Sequence, residues 1–259
     1  MFKLISLVKK YIKKVFDITG FKIQKKETHS DFPVDFDEES IKIIESTKPF
    51  TLTSMERTFT LIEAVKYIIK QNIPGDIVEC GVWKGGSIMT AVLTLKNLKN
   101  QDKEIYLFDT FEGMSKPTEF DLPSSESNFN PIEEFKKTKI DDNASDWCKA
   151  EIDEVKENVF STNYPKNKFH FIKGKVENTL PEFAPDEISI LRLDTDWYES
   201  TLHELNHLFP KLSKGGVLII DDYGFWKGSK KAVDEYFQKN SIKIMLNRID
   251  STGRIAIKQ

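Results

Sequence analysis

Cysteine is scarce in this sequence: Cys80 and Cys148 are the only two among 259 residues. Two isolated thiols build neither a disulfide framework nor a zinc site, which points to a reducing compartment and a cytoplasmic protein. No apolar run approaches the ~18 residues that a membrane-crossing helix needs. Basic residues are not in excess, with 38 Lys and Arg against 41 Asp and Glu for a formal charge of −3, so the total gives no reason to expect nucleic acid as a partner. Glycine and proline, 12 and 10, are too few for collagen-like or low-complexity sequence, and 39% hydrophobic residues are too many for wholesale disorder. Internal repeats at a solenoid period are absent as well. What remains is a globular chain of a length that suits one large α/β domain.

Charge is unevenly spread. Residues 1–26 hold eight lysines against one acid, Asp17, for a local charge of +7. Leu4, Leu7, Val8, Tyr11, Ile12, Val15 and Phe16 recur there at three- and four-residue steps, with lysines between them. This pattern predicts an amphipathic helix with a basic face, followed by an irregular connector to residue 37. Two readings stay open for it: packing against protein, or peripheral contact with an anionic membrane surface such as the inner face of a cell membrane. A secretory signal is not expected, because the apolar positions never become continuous.

From residue 38 the chain turns periodic. Helices are predicted over 38–46 and 54–71, the latter with a loosely placed start, since Ser54 followed by Arg57 makes a poor capping box. Beyond Pro74-Gly75, strands are predicted at 76–80, 104–109, 168–172, 188–194, 216–221, 242–246 and 254–257. Helices are predicted at 86–98, 145–159, 198–212 and 229–238. The strand runs ILRLD and VLIID are apolar without alternation, which indicates a mainly parallel sheet covered on both faces. The last two strands lack an intervening helix and are expected to form an antiparallel edge hairpin. Residues 110–144, rich in Ser, Pro, Asn, Asp and Phe, follow the second strand at the edge where open α/β sheets bind ligands, and read as a lid.

Several acids fall at strand ends. The first strand closes in Glu79-Cys80-Gly81-Val82-Trp83-Lys84-Gly85-Gly86. Its glycines suit a sharp strand-to-helix turn and close approach of a ligand, but Trp83 replaces the second glycine of the G-x-G-x-x-G dinucleotide pattern, which argues against a pyrophosphate. The Glu79 carboxylate there would suit a cationic amine. Asp109, closing the second strand before Thr110 and Phe111, is placed to accept from ribose hydroxyls. Asp194 and Asp196 end the fourth strand, and Asp221 and Asp222 the fifth. Parallel neighbours finish at one edge, so these carboxylates converge and repel unless a cation neutralises them. With neither His nor Cys beside them, the donor set selects Mg²⁺, Mn²⁺ or Ca²⁺, with Asp194, Asp221 and Asp222 as the preferred ligands. Asp196 is left between the site and a helix cap. A cation beside an adenosine site without a phosphate cradle suggests transfer of an uncharged group from a sulfonium donor to a metal-held hydroxyl.

Together, the segments IPGDIVECGVWKGGS (73–87), YLFDTFEGM (106–114), ENTLPE (177–182), LDTDWYEST (193–201) and FPKLSKGGVLIIDDYG (209–224) resemble the macrocin/mycinamicin (TylF-like) O-methyltransferases. The resemblance implies a class I, Rossmann-like fold with strand order 3-2-1-4-5-7-6, S-adenosylmethionine as donor and Mg²⁺-dependent methylation of sugar hydroxyls. Carried over by position, it implies that Glu79 and Gly81 line the methionine part of the donor and Asp109 its ribose. Gly174, Lys175 and Val176 would lie near adenine, with Thr53, Gly85, Thr110 and Phe111 as further donor-site residues. Asp194, Asp221 and Asp222 match the metal acids, and Asp194 also the proton acceptor. A sugar acceptor, nucleotide-linked or part of a surface polysaccharide or natural product, and a homo-oligomer are expected. Lys116, Lys136, Lys137 and Lys139 in the lid would suit a sugar diphosphate. The competing readings are a nucleotide-dependent oxidoreductase, disfavoured by Trp83, and a non-catalytic donor-binding scaffold. No histidine is given a catalytic role.

Overall fold

Residues 32–124, 129–142 and 144–259 are described by the computed structural model; the predicted basic helix of residues 1–26 lies outside them. Residues 37–259 form one unit. It opens with α1 (Glu38–Thr47) and α2 (Met55–Lys70), then alternates β1 (Asp76–Cys80), α3 (Gly86–Asn97) and β2 (Ile105–Asp109). The insertion carries α4 (Pro131–Thr138), and α5 (Ile152–Phe160) leads into β3 (Phe169–Lys173). There follow the single turn α6 (Val176–Thr179), β4 (Ile188–Leu193), α7 (Tyr198–Leu208), β5 (Leu212–Ile220), α8 (Lys227–Lys239), β6 (Asn247–Arg248) and β7 (Arg254–Ile257).

The seven strands form one sheet in the order β3-β2-β1-β4-β5-β7-β6. The first five are mutually parallel, and β7 runs antiparallel to both β5 and β6. Alternate residues of each strand supply two buried layers. Ile77, Ile190, Val217 and Ile219 face α2 and α3, packing on Leu61, Val65, Ile68, Val92 and Leu95. Val78, Cys80, Leu191, Leu193, Leu218 and Ile220 face the other side, against Leu205 and Leu208 of α7 and Val233 and Phe237 of α8. Each fully buried aliphatic side chain contributes about 1.5–3 kcal/mol, so the strand runs hold the sheet from both faces. The chain order reverses direction between β1 and β4, which opens the crevice at their carboxyl ends where ligands bind in such sheets. No helix of the described residues is long and apolar enough to cross a membrane.

Four element boundaries differ from the sequence-based expectation. Ile242, Ile244 and Leu246 alternate because they pack inward; the ladder forms only at Asn247 and Arg248, since alternation reports burial and not pairing. The helix expected from residue 145 begins at Ile152, because Cys148 takes a left-handed φ of 50° and Ser145 bridges Lys139. The helix expected to run to 212 stops at Leu208. Correspondingly, β5 starts at Leu212, not Gly216, with a bulge around Gly215 at φ 81°.

Candidate active site

Gly81 ends β1 at φ 82°, and a Cβ on it would stand 1.9 Å from the carbonyl oxygen of Asp194. The glycine therefore serves the protein's own backbone first, letting the ends of β1 and β4 touch. Above that contact lies a cavity of about 420 Å³. Its lining includes Thr53, Gly81, Trp83, Asp109, Thr110, Gly174, Lys175 and Val176 together with Trp147, Asp194, Asp196, Asp221, Asp222 and Trp226. The predicted donor loops and the predicted metal acids thus share one space.

Asp109 is held firmly. Its Oδ2 accepts from the backbone N–H groups of Val82 (2.6 Å) and Trp83 (3.1 Å), and its Oδ1 accepts from Phe111 N (2.7 Å) and, at 3.5 Å, the Thr110 hydroxyl. Burial pushes its pKa up, against the pull of those N–H donors. The carboxylate thereby fixes the β1–α3 turn as well as facing the cavity.

Three residues expected in the donor site stand outside the cavity lining. Glu79 is 1% exposed and sits beneath the cavity. The cation it meets is Arg192, directly opposite in the register of β1 and β4. Phe111 is buried in the core layer under α3. Gly85, at φ 87°, precedes α3 against Val159 of α5, and it is Gly86 that reaches the cavity.

Beneath the acids runs a chain of ion pairs. Arg57 Nε stands 2.9 Å from Asp250, and its Nη1 pairs with Asp221. Arg192 Nη2 donates to the other oxygen of Asp221 at 2.6 Å, while its Nη1 pairs with Glu79 and lies 2.8 Å from Asp194. Burial drives the Glu79 carboxyl up to about 8 in spite of Arg192, and one of its oxygens has no hydrogen-bond partner. Burial likewise lifts Asp194 to about 6, with Arg192 opposing and Asp221 reinforcing.

Asp196 takes a left-handed φ of 67°. It does not cap α7: its Oδ1 accepts from the Trp226 indole N–H, and its own N–H donates to Asp222 at 3.2 Å. Burial and the neighbouring Asp194 raise it to about 8. The cap of α7 comes from the insertion, where fully buried Asp121 accepts from Tyr198 N at 2.8 Å. The same Asp121 accepts from the Thr118 N–H and hydroxyl, each at 2.7 Å. An antiparallel bridge from Pro123 to Trp226 fastens the insertion further. Of a cluster of aromatic rings, Trp147 and Trp226 reach the cavity; ring centroids of Trp147 and Trp197 are 5.8 Å apart, Trp197 and Trp226 5.0 Å, and Phe129 and Trp147 5.7 Å.

The donor set suits a hard divalent cation. One oxygen from each of Asp194, Asp221 and Asp222 lies within 4.8 Å of the others. Asp222 forms no ion pair among the described residues, and burial together with Asp196, Asp194 and Asp221 pushes its pKa well up. A cation there would supply the charge that Arg57 and Arg192, already committed to Asp221, do not.

Arg192, Trp147, Trp226 and Asp121 escaped the sequence reading. Only Arg192 left a signal, as a charge inside a strand buried on both faces, which demands a partner. Arg57 was given no site role there, and the poor capping box expected of Ser54 and Arg57 does form: Ser54 caps α2 by accepting from Arg57 N at 3.2 Å. The lid lysines Lys116, Lys136, Lys137 and Lys139 do not line the cavity; Lys137 pairs with Glu134 and Lys139 with Asp142. His203 and His207 lie with ring centroids 4.4 Å apart and tilted by 53°, outside the cavity lining.

Comparison with known proteins places these features in context. The family model described as macrocin-O-methyltransferase (TylF) matches residues 10–257. A demethyldecarbamoylnovobiocin O-methyltransferase of Streptomyces niveus is 32% identical over 205 residues, spanning 78% of this chain and 73% of the relative. An 8-demethyl-8-(2,3-dimethoxy-alpha-L-rhamnosyl)-tetracenomycin-C 4'-O-methyltransferase of Streptomyces olivaceus is 28% identical over 203 residues, spanning 78% and 73%. Among solved structures, the O-methyltransferase NovP superposes with a TM-score of 0.69 at 29% identity, covering 81% of this chain and 82% of that one.

Proposed function

Because this chain belongs to the macrocin O-methyltransferase (TylF) family and is a S-adenosylmethionine-dependent O-methyltransferase, we propose that its acceptor is a sugar hydroxyl, held beside a divalent cation on Asp194, Asp221 and Asp222. The observation that carries this reading is the shared cavity, in which the donor-side turn at Gly81 touches the backbone of Asp194. In this reading Thr53 and Gly81 meet the methionine part of the donor, and Gly174, Lys175 and Val176 its adenine. Asp109 meets the ribose, whose hydroxyl would replace the longest of its four contacts, that from Thr110.

A bound Mg²⁺, for which Mn²⁺ or Ca²⁺ would be oxygen-ligand alternatives, would lower the pKa of the acceptor hydroxyl and fix its orientation. The chain's own residues do the rest. Arg192 holds one Asp194 oxygen and leaves the other to face the cavity, where Asp194 would take the hydroxyl proton. A second reading gives that proton to Asp196, which lines the same cavity and bears no arginine. Half-buried Trp147 offers flat apolar surface for the face of a sugar ring, while Trp226 is buried behind it. The tetracenomycin relative, whose name specifies a rhamnosyl substrate, supports a glycosidic acceptor in natural-product or surface-glycan synthesis. A nucleotide-linked acceptor has less support, because the lining arginines among the described residues, Arg57 and Arg192, are committed to acids.

Labelled S-adenosylmethionine, Mg²⁺ and a panel of glycosides and nucleotide sugars test the proposal. Incorporation into a sugar that stops with EDTA and returns with Mg²⁺ supports it; full activity after EDTA and dialysis removes the cation from the mechanism.

A further inference from the structure

Glu79, Arg192 and Asp221 lie side by side across one face of the sheet, on β1, β4 and just past β5. Glu79 and Arg192 continue, one layer nearer the carboxyl edge, the apolar row of Ile77, Ile190 and Val217; Ile219 of β5 stands opposite Arg192, and Asp221 follows two residues on. A fully buried charge in that row costs several kcal/mol unless it is paired, and the arrangement has consequences for Asp194 and Asp221. The guanidinium touches both, Asp194 at 2.8 Å through Nη1 and Asp221 at 2.6 Å through Nη2. Side-chain exposures of 6% for Arg192, 2% for Glu79 and 4% for Asp221 leave no solvent to let the fork turn. Glu79 anchors it from below, on the far side of Nη1 from the cavity.

We propose that Arg192 is a positioning residue for cation binding, its rigid fork setting the separation and rotamers of Asp194 and Asp221 before a cation arrives. The inference rests on the metal reading given above. Its content is geometric. An ammonium at position 192 keeps the charge but has no planar fork to span two carboxylates. If charge alone mattered, a positive group so close to the acids would only weaken the binding of another cation, and removing it would tighten that binding.

Two substitutions separate these cases, read by titrating Mn²⁺ against the purified full chain and following the free-ion electron paramagnetic resonance signal. S-adenosylhomocysteine affinity by calorimetry and cooperative melting certify the fold. Arg192→Lys and Arg192→Met are both expected to weaken Mn²⁺ at least tenfold, with S-adenosylhomocysteine affinity within threefold of the parent. Unchanged Mn²⁺ affinity in Arg192→Lys, or tighter binding in Arg192→Met, overturns the proposal. So does a parallel collapse of S-adenosylhomocysteine binding, which would make the role merely structural. If one variant fails to fold, the other decides alone, since both are expected to weaken binding. Failure of the parent protein to bind Mn²⁺ at all is a different result, and it removes the metal reading itself.

Discussion

Glu79 and Arg192 face each other across β1 and β4 and pair beneath the cavity floor. The acid at the end of β1 has its counter-ion built into the neighbouring strand, and it does not line the cavity. Above the pair, the exposed business of the site falls to Asp194, Asp196 and Asp222.

Asp222 is the acid with most to gain from a cation, because no ion pair relieves it among the described residues. Asp222→Ala is expected to lower methyl transfer at least 100-fold while S-adenosylhomocysteine affinity stays within about threefold, since the donor side is lined by other residues. Labelled-methyl assays and calorimetry check the two halves. A parallel loss of both would place Asp222 in donor binding.

The two carboxylates of the 194–196 turn separate by their partners. Asp194→Asn is expected to lose both Mn²⁺ binding and turnover. Asp196→Asn is expected to keep Mn²⁺ binding, and under the second proton-acceptor reading it loses turnover about 100-fold or more. Trp226→Phe keeps the ring but removes the N–H that Asp196 accepts. In that reading it costs about tenfold in kcat, the equivalent of one net hydrogen bond of about 1.4 kcal/mol. Normal turnover in Asp196→Asn leaves the proton to Asp194.

Acid should unfold the protein partly through Asp250. Burial works against its ionisation, but the Gly253 N–H, the Ser54 hydroxyl, the Thr252 N–H and Arg57 prevail and hold it at about 2. A folded pKa below the unfolded value of about 3.9 stabilises fully above that value, and the contribution disappears as pH falls through 2. Asp250→Asn is therefore expected to cost up to about 2 kcal/mol at neutral pH. The difference from the parent should shrink toward zero near pH 2, in urea denaturation followed at several pH values. A constant difference across that range would assign the loss to packing.

The basic segment has its own test. If residues 1–26, with their charge of +7, bind an anionic surface, deleting them abolishes cosedimentation with phosphatidylserine vesicles, and about 0.5 M salt does so for the full chain. Unchanged sedimentation of the truncated chain would dismiss the membrane reading.

The sheet and the acids were legible because each is a local signal. A buried parallel strand is a short apolar run, and an acid at its end falls at the ligand edge whatever the rest of the chain does. Asp194, Asp221 and Asp222 are brought together on that logic alone. Pairing across strands is not local. Nothing in ILRLD says that Arg192 will meet Glu79 and Asp221, although a charge in such a run announces that something must. The insertion after β2 was legible, but its anchors were not. Asp121 and Trp226 stand far apart in sequence from Tyr198 and Asp196, and only the folded chain joins them. Alternation also misled at residues 242–246, where an inward-facing coil imitates a strand.

That Asp121 belongs to the insertion and yet receives the first N–H of α7 ties two parts of the molecule into one fate. An insertion that merely covered a crevice could be trimmed without harm to the fold. Cutting this one at its root would leave a helix in the sheet's own wall short of an acceptor, and the turn bearing Asp194 and Asp196 leads straight into that helix. Exchange of covers between relatives, as a route to new acceptors, should therefore succeed only when the splice points fall beyond Asp121.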